Sequence, residues 1–453
     1  MTGVSAPDAP NQGGPPLSAA DAKLRRVMGP GTIALNAMNL TIASGIFALP
    51  AAVAVIVGSA AVYAYLICGA AMALVMLCFA ELGSTTARSG GAYAYIERSF
   101  GPFWAFLASV LLWFGFGVLS DAAIAAAMAE SIATTLPVFK SPVPRAGLII
   151  AFFIIILAVN IRGAKEGARM AVALTITKLV PLGILILASV PHITSVAITG
   201  GGLPSMAKLG QASLLLFFAF TGAESALAPS AEIKNVRRDI PRGIMLGCAG
   251  IVVVYLGVHI AAQSLLGDNL AGAGASSLSA AAEVAMGPFG KALLLIGAVV
   301  SMAGAVAGDQ LAMPRSLFAS AVDGHLPAIF AHVHPRFRTP WVAIFTYGGL
   351  TCFFAIAGGF TALAALASAG LLIVYFGVCL AVLRERARAT PGTEGFRIPG
   401  GPVVPVLAMV LVAGLLANAK ADEWKPLGGL LAVSAAYYAV RLVMRRRASG
   451  GSA

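Results

Sequence analysis

Residues 41–50 read Thr41-Ile42-Ala43-Ser44-Gly45-Ile46-Phe47-Ala48-Leu49-Pro50, and residues 217–229 read Phe217-Phe218-Ala219-Phe220-Thr221-Gly222-Ala223-Glu224-Ser225-Ala226-Leu227-Ala228-Pro229. Both runs are apolar enough to continue a long helix, yet each carries a small hydroxyl residue and a glycine at its centre and a proline a turn or two later. Glycine costs about 1 kcal/mol in a helix interior and proline roughly 3. Two such interruptions predict two broken helices, each at the start of one half of the chain.

The surrounding composition says what medium these helices occupy. Of 453 residues, 59% are hydrophobic and 11% charged, against about 25% charged in a soluble domain. The mean hydropathy of +0.90 fits a polytopic membrane protein. Twelve apolar stretches are long enough to span, near 31–57, 58–80, 102–136, 146–160, 170–190, 211–230, 242–266, 288–316, 341–358, 361–383, 402–419 and 426–444, given that about 20 residues cross a bilayer. None alternates as barrel strands do, so an all-α polytopic fold is expected.

A net charge of +12 raises the question of nucleic acid. Its distribution answers it. With the N terminus inside, 23 of the 30 Lys and Arg residues fall in cytoplasmic segments, and only Lys140, Arg145, Lys208, Lys291, Lys420 and Lys425 fall outside. This is the positive-inside pattern. It predicts a multi-pass protein of the cell inner membrane with both termini cytoplasmic, and no nucleic-acid partner. Lys178 alone lies within a span. The five cysteines sit in apolar runs without a CxxC and read as small buried hydrophobes. No cleavable signal peptide is visible, and residues 1–22, rich in Ala, Pro, Gly and Ser, read as a disordered tail.

Each break opens a block of five spans. Five is odd, so the second block enters the membrane from the opposite side, giving an inverted repeat. The expected organisation is a cytoplasmic tail at 1–30, a first five-helix repeat at 31–190, an inverted second repeat at 211–383, two accessory helices at 402–446 and a tail at 447–453. Residues 81–102 suit a short interfacial helix between spans 2 and 3. Residues 231–242 form a charged turn. The alanine-rich stretch from Ser276 to Met286 suits a helical cap outside.

At these residues the chain resembles the amino acid–polyamine–organocation superfamily of amino acid permeases. The resemblance rests on Ser44-Gly45-Ile46-Phe47, on SGGAYAY at 89–95, on Phe220-Thr221-Gly222-Ala223-Glu224, and on Pro314-Arg315 followed by Asp323-Gly324 and Thr339-Pro340. It implies a five-plus-five inverted-repeat fold with helices 1 and 6 broken. Ala43 stands where family members usually have glycine, and its methyl narrows the site or stiffens the break.

An unwound segment inside a membrane must line a protein-walled cavity. A half-helix starting after Ser44 offers free amides and a partial positive charge, which suits a carboxylate; unwound carbonyls suit an ammonium. By the resemblance, a substrate carboxylate would meet the amides of Ser44, Gly45 and Ile46, and the ammonium the carbonyls of Thr41, Phe218 and Thr221. Ile42, Ala43, Phe220 and Gly222 complete the expected lining, with Phe218 and Phe220 as an aromatic lid and Phe218 also a gate. The competing reading is that the glycines only allow close helix packing.

Three ionisable residues stand inside spans. Lys178 lies about eight residues, roughly 12 Å, into span 5, too deep to snorkel. The resemblance implies that its ammonium takes the place of a sodium ion between helices 1 and 8, which argues for sodium independence. In related antiporters the carboxylate at the position of Glu224 senses protons; a structural carboxylate bonded to a nearby hydroxyl or amide is the other reading. Asp121, near the midplane of span 3, reads as a substrate contact, a proton carrier or a structural acid. Glu130 and Asp309 read as interfacial. His332 and His334 lack a carboxylate at ligand spacing, so no metal site is expected. No cofactor is expected either, and no phosphate-cradling loop supports ATP-driven transport.

The expected function is sodium-independent secondary transport of an amino acid by alternating access, coupled to protons or running as an exchange. The alternatives are an amino acid/amine (polyamine) antiporter and, in another class, a non-transporting amino acid sensor. No catalytic constellation supports an enzyme. The expected partners are an amino acid substrate, protons and the lipid bilayer, with the protein a monomer or homodimer.

Overall fold

A computed structural model describes residues 28–42, 45–85, 91–162, 167–227, 233–322, 326–388 and 396–450. The expected tail up to residue 27, Ala43, Ser44, Ser89, Gly90, the first residues of the charged turn, Asp323, Gly324 and the last three residues lie outside it. Among the described residues the fold is all-helical, apart from one isolated bridge between Met28 and Ile233.

Helices α1 (Pro30–Thr41) and α2 (Gly45–Val57) flank the first interruption, followed by α3 (Ala61–Thr85) and the short α4 (Gly91–Phe100). One long stretch then comprises α5 (Pro102–Val110), a π-helical segment at Leu111–Val118 and α6 (Leu119–Thr135). Next come α7 (Pro142–Arg162), α8 (Gly167–Ser189) and the short α9 (Ser195–Thr199). The second interruption follows α10 (Met206–Phe220), and a 3-10 turn over Ala223–Leu227 continues beyond it. Then come α11 (Val236–Leu266), a 3-10 stretch at Gly267–Ser276, α12 (Ser277–Val322), α13 (Trp341–Ala357), α14 (Phe360–Arg388), α15 (Val403–Leu416) and α16 (Ala421–Gly450). The alanine-rich stretch is helical and turns at Gly287, φ 67°, into the rest of α12.

Local chemistry sets several of these starts. Pro30 and Pro102 occupy first-turn positions, where a missing amide costs nothing. Ser205 Oγ accepts from the amide of Lys208 at 3.4 Å and caps α10. Asn235 Oδ1 accepts from the Arg238 amide at 3.3 Å, while Asp239 Oδ2 accepts from the Asn235 amide at 3.2 Å, a reciprocal cap for α11.

Seven described helical stretches are long and apolar enough to cross a membrane; Arg237–Val322 alone runs for 86 residues, and Lys178–His192, Trp341–Ala357 and Val403–Leu416 are shorter apolar helices. The apolar windows of Met206–Leu227 and Phe360–Arg388 are 67% buried, those of α7 and α16 only 17% and 11%. The second broken helix and α14 therefore sit centrally, while α7 and α16 turn most of their surface outward. The chain is a membrane protein. Helix α10 packs on α2, α3 and α14; α1 packs on α11; α8 packs on α12; and α6 packs on α12, α13 and α14.

The segment before α15 is fastened to the core by a largely buried ion pair. Arg386 Nε and Nη2 donate to Glu81 Oε1 and Oε2 at 2.6 and 2.5 Å. The same carboxylate accepts from the Ile398 amide at 2.8 Å, and Ser84 Oγ accepts from the Phe396 amide at 2.8 Å.

Candidate substrate site and coupling residues

The two interruptions lie against each other. A Cβ on Gly45 would come within 2.9 Å of Ala219 Cα, so the first turn of α2 rests on the last turn of α10. Gly222 has φ 109°, and a Cβ there would meet the Leu40 carbonyl oxygen at 2.9 Å. Only a residue without a side chain fits both that backbone and that approach. The sequence signal of two glycines thus corresponds to two close backbone crossings.

Helix α1 ends at Thr41, and α10 ends at Phe220 with Thr221 extended, φ −76° and ψ 155°. A hydroxyl from a third helix ties the two ends together. Tyr255 Oη, on α11, lies 2.8 Å from the Thr41 carbonyl and 2.6 Å from the Ala219 carbonyl. Thr221 Oγ1 donates to the Phe218 carbonyl at 2.8 Å. Tyr255 has a single proton for its two carbonyl neighbours, so the carbonyls of Thr41 and Phe218 each keep a lone pair beyond these contacts. On the facing side, Gly45 and Ile46 begin α2, where first-turn amides have no intrahelical acceptor. Acceptors from two helix C-termini and donors from one N-terminus thus converge, the polarity a zwitterion needs. Ala43 and Ser44, which complete the expected lining, lie outside the described residues.

The aromatic residues are packed. Phe218 is buried edge-on against Phe360, with centroids 6.1 Å apart, and Phe220 meets Tyr255 at 5.0 Å and Tyr65 at 6.5 Å. Thr41 and Ile42 are buried, and Thr41 Oγ1 has no described partner.

Lys178 is 7% exposed, and its ammonium donates to the Asn39 carbonyl near the C-terminus of α1. A cation is thereby fixed at the negative end of a half-helix. Glu224 Oε2 accepts from the Gly222 amide at 3.0 Å, and the Tyr375 side chain on α14 lies close to its carboxyl. Asp121 is fully buried, but its hydrogen-bond partners belong to α12 and α13, not to the two interruptions: Oδ2 accepts from Tyr347 Oη at 3.1 Å and Gln310 Nε2 at 3.4 Å. Asp309, read from the sequence as interfacial, is half-buried and within hydrogen-bond reach of Asp121.

Sequence reasoning missed Tyr255 and the Gln310–Tyr347–Thr351 group beside Asp121, and it read Asp309 as interfacial. A tyrosine in an apolar span is ordinary, so only its position reveals the tie. The adjacent Asp309 and Gln310 in an apolar helix were a legible signal, since intramembrane ionisable residues are functional candidates.

Apposed broken helices with a half-helix N-terminus facing unwound carbonyls are the site layout of a membrane carrier. The family model for amino acid permeases matches residues 31–424, and the chain belongs to that family, within the amino acid–polyamine–organocation superfamily. The serine/threonine exchanger SteT of Bacillus subtilis (strain 168) is 29% identical over 377 residues, covering 81% of this chain and 85% of its own. The methylthioribose transporter of the same organism is 24% identical over 425 residues, covering 88% and 90%. Its branched-chain amino acid permease BcaP is 25% identical over 421 residues, again covering 88% and 90%.

Proposed function

We propose that this chain is a sodium-independent secondary transporter of amino acids in a prokaryotic inner membrane, working by alternating access as a proton symporter or an exchanger. Twelve spans in a five-plus-five inverted repeat, with both termini cytoplasmic, are the arrangement this reading requires. The observation that carries it is the Lys178 ammonium on the Asn39 carbonyl. A fixed protein cation at the end of the first half-helix leaves a free sodium ion no role at that position. The converging termini of α1, α2 and α10 supply opposite polarities for the two ends of an α-amino acid. In this reading a substrate carboxylate meets the amides of Ser44, Gly45 and Ile46 and its ammonium the carbonyls of Thr41, Phe218 and Thr221, with Phe218 and Phe220 as the lid.

Small and branched neutral substrates lead. The named substrates of SteT and BcaP are serine, threonine and branched-chain amino acids. SteT is named as an exchanger, which also favours exchange. The test is uptake of labelled serine, threonine, alanine, valine, leucine and methylthioribose into sodium-free proteoliposomes, empty or preloaded, with and without an inward proton gradient. Accumulation of an amino acid under either driving force supports the reading. Strict dependence on added sodium, or uptake of methylthioribose alone, contradicts it.

A further inference from the structure

Behind the two interruptions, α6, α12 and α13 enclose a polar group in otherwise apolar surroundings. Asp121 Oδ2 takes both available donors, the Tyr347 hydroxyl and the Gln310 amide. The Gln310 amide nitrogen also lies 3.2 Å from Thr351 Oγ1, whose own proton goes to the Tyr347 carbonyl at 2.8 Å. Asp121 Oδ1 is left buried with no described donor, and so is Gln310 Oε1, although Gln310 is itself fully buried. A buried polar atom without a partner costs about 1–3 kcal/mol, more when charged. Among the described residues, the group that stands ready to complete Asp121 is the neighbouring carboxyl of Asp309, and it can donate only if it carries a proton. Two carboxyl groups in contact inside a low-dielectric interior do not both ionise.

We propose that Asp121 and Asp309 hold a single proton between them and that this pair is where the coupled proton rides during transport. The proposal rests on the transporter reading above and names its coupling ion site. Asp121 is the sealed partner, fully buried and held by α13, whereas Asp309 is half-buried beside Gly308, which is exposed with open space at its Cβ position. The proton therefore comes and goes through Asp309.

The groups facing the pair fit this arrangement. From α13 comes Tyr347, a donor to Asp121. From the turn after α10 comes Glu224, which acts electrostatically on Asp309 and accepts from the Gly222 amide. From α8 comes Lys178, committed to the Asn39 carbonyl. Helix α7 has its basic residues, Arg145 and Arg162, near its ends. The described neighbours thus supply no cation bonded to the pair, and a proton neutralises it instead. Through Glu224 the occupancy of the pair reaches Gly222, the backbone crossing of the second interruption. That contact gives the proton a physical route to the substrate site.

The test has two arms on the purified full-length protein. Infrared difference spectra at neutral pH, wild type against Asp309→Asn and against Asp121→Asn, read the proton directly. A protonated-carboxyl band lost in Asp309→Asn and lost or displaced in Asp121→Asn is expected, with Asp309→Glu restoring it. Unchanged bands in both variants overturn the proposal, and a correctly folded but inactive variant still answers this arm. In proteoliposomes under an inward gradient of one pH unit, one coupled proton supports about tenfold accumulation. Wild type should approach that value with measurable proton influx, whereas any flux that Asp309→Asn retains should move no protons. Proton influx persisting in Asp309→Asn overturns the proposal. So does wild-type exchange without proton movement, and in that case amino acid transport itself still stands.

Discussion

Replacing Gly222 by alanine tests the apposition of the two interruptions. The new Cβ would stand 2.9 Å from the Leu40 carbonyl oxygen, in a backbone conformation with φ 109°. The conformation costs roughly 1–2 kcal/mol for a residue with a side chain, and forcing an added methyl into a packed contact typically costs about 1–3 kcal/mol. The sum, about 2–5 kcal/mol, falls where α1 and α10 meet. Relief requires the end of α1 to retreat, carrying with it the Thr41 carbonyl that Tyr255 holds. Gly429 on α16 is the comparison. It has nothing within 4 Å of its Cβ position and no positive φ, so alanine there should be neutral or stabilising by up to about 1 kcal/mol. Thermal unfolding in detergent and amino acid uptake in proteoliposomes should both fall in Gly222→Ala and stay intact in Gly429→Ala. Equal behaviour of the two variants would refute the claim that this glycine is a close backbone crossing.

Other substitutions probe the supports of the site. Tyr255→Phe removes the hydroxyl shared by the Thr41 and Ala219 carbonyls and should lower stability by about 1–3 kcal/mol, read as a lower unfolding temperature that substrate partly restores. Lys178→Ala strips the cation from the end of α1, and gradient-driven uptake should be lost and not rescued by sodium; wild-type uptake would remove Lys178 from the mechanism. Arg386→Ala removes the guanidinium that bonds both oxygens of the largely buried Glu81 carboxylate, for an expected loss of about 3–5 kcal/mol. The double variant Glu81→Gln, Arg386→Met should recover part of that stability, and no recovery would show that the pair does not act as a unit.

Much of the architecture was legible because membrane helices obey length and polarity rules. The two glycine-centred interruptions correspond to helix ends at Thr41, with Ile42 non-helical, and at Phe220, with Thr221 extended, because glycine and a nearby proline make a continuous helix costly wherever they occur. Lys178 could be singled out by depth alone. What the sequence hid is a matter of angular position and of contacts between distant segments. Asp309 lies close to the cytoplasmic end of its expected span, which suggested an interface, but its carboxyl neighbours that of Asp121. Tyr255, 214 residues from Thr41, has no local pattern that marks it as the tie between the two helix ends. The clamp between Glu81 and Arg386 spans 305 residues and is equally invisible to spacing arguments.

The most direct test of the central claim is uptake of labelled amino acids into sodium-free proteoliposomes containing the wild-type protein, empty or preloaded, under an inward proton gradient. Concentrative uptake into empty vesicles, or uptake on preloading, of at least one small or branched neutral amino acid without sodium is the predicted result. Uptake that appears only when sodium is added would contradict the account, because the site that Lys178 is said to fill would then be needed for a free ion.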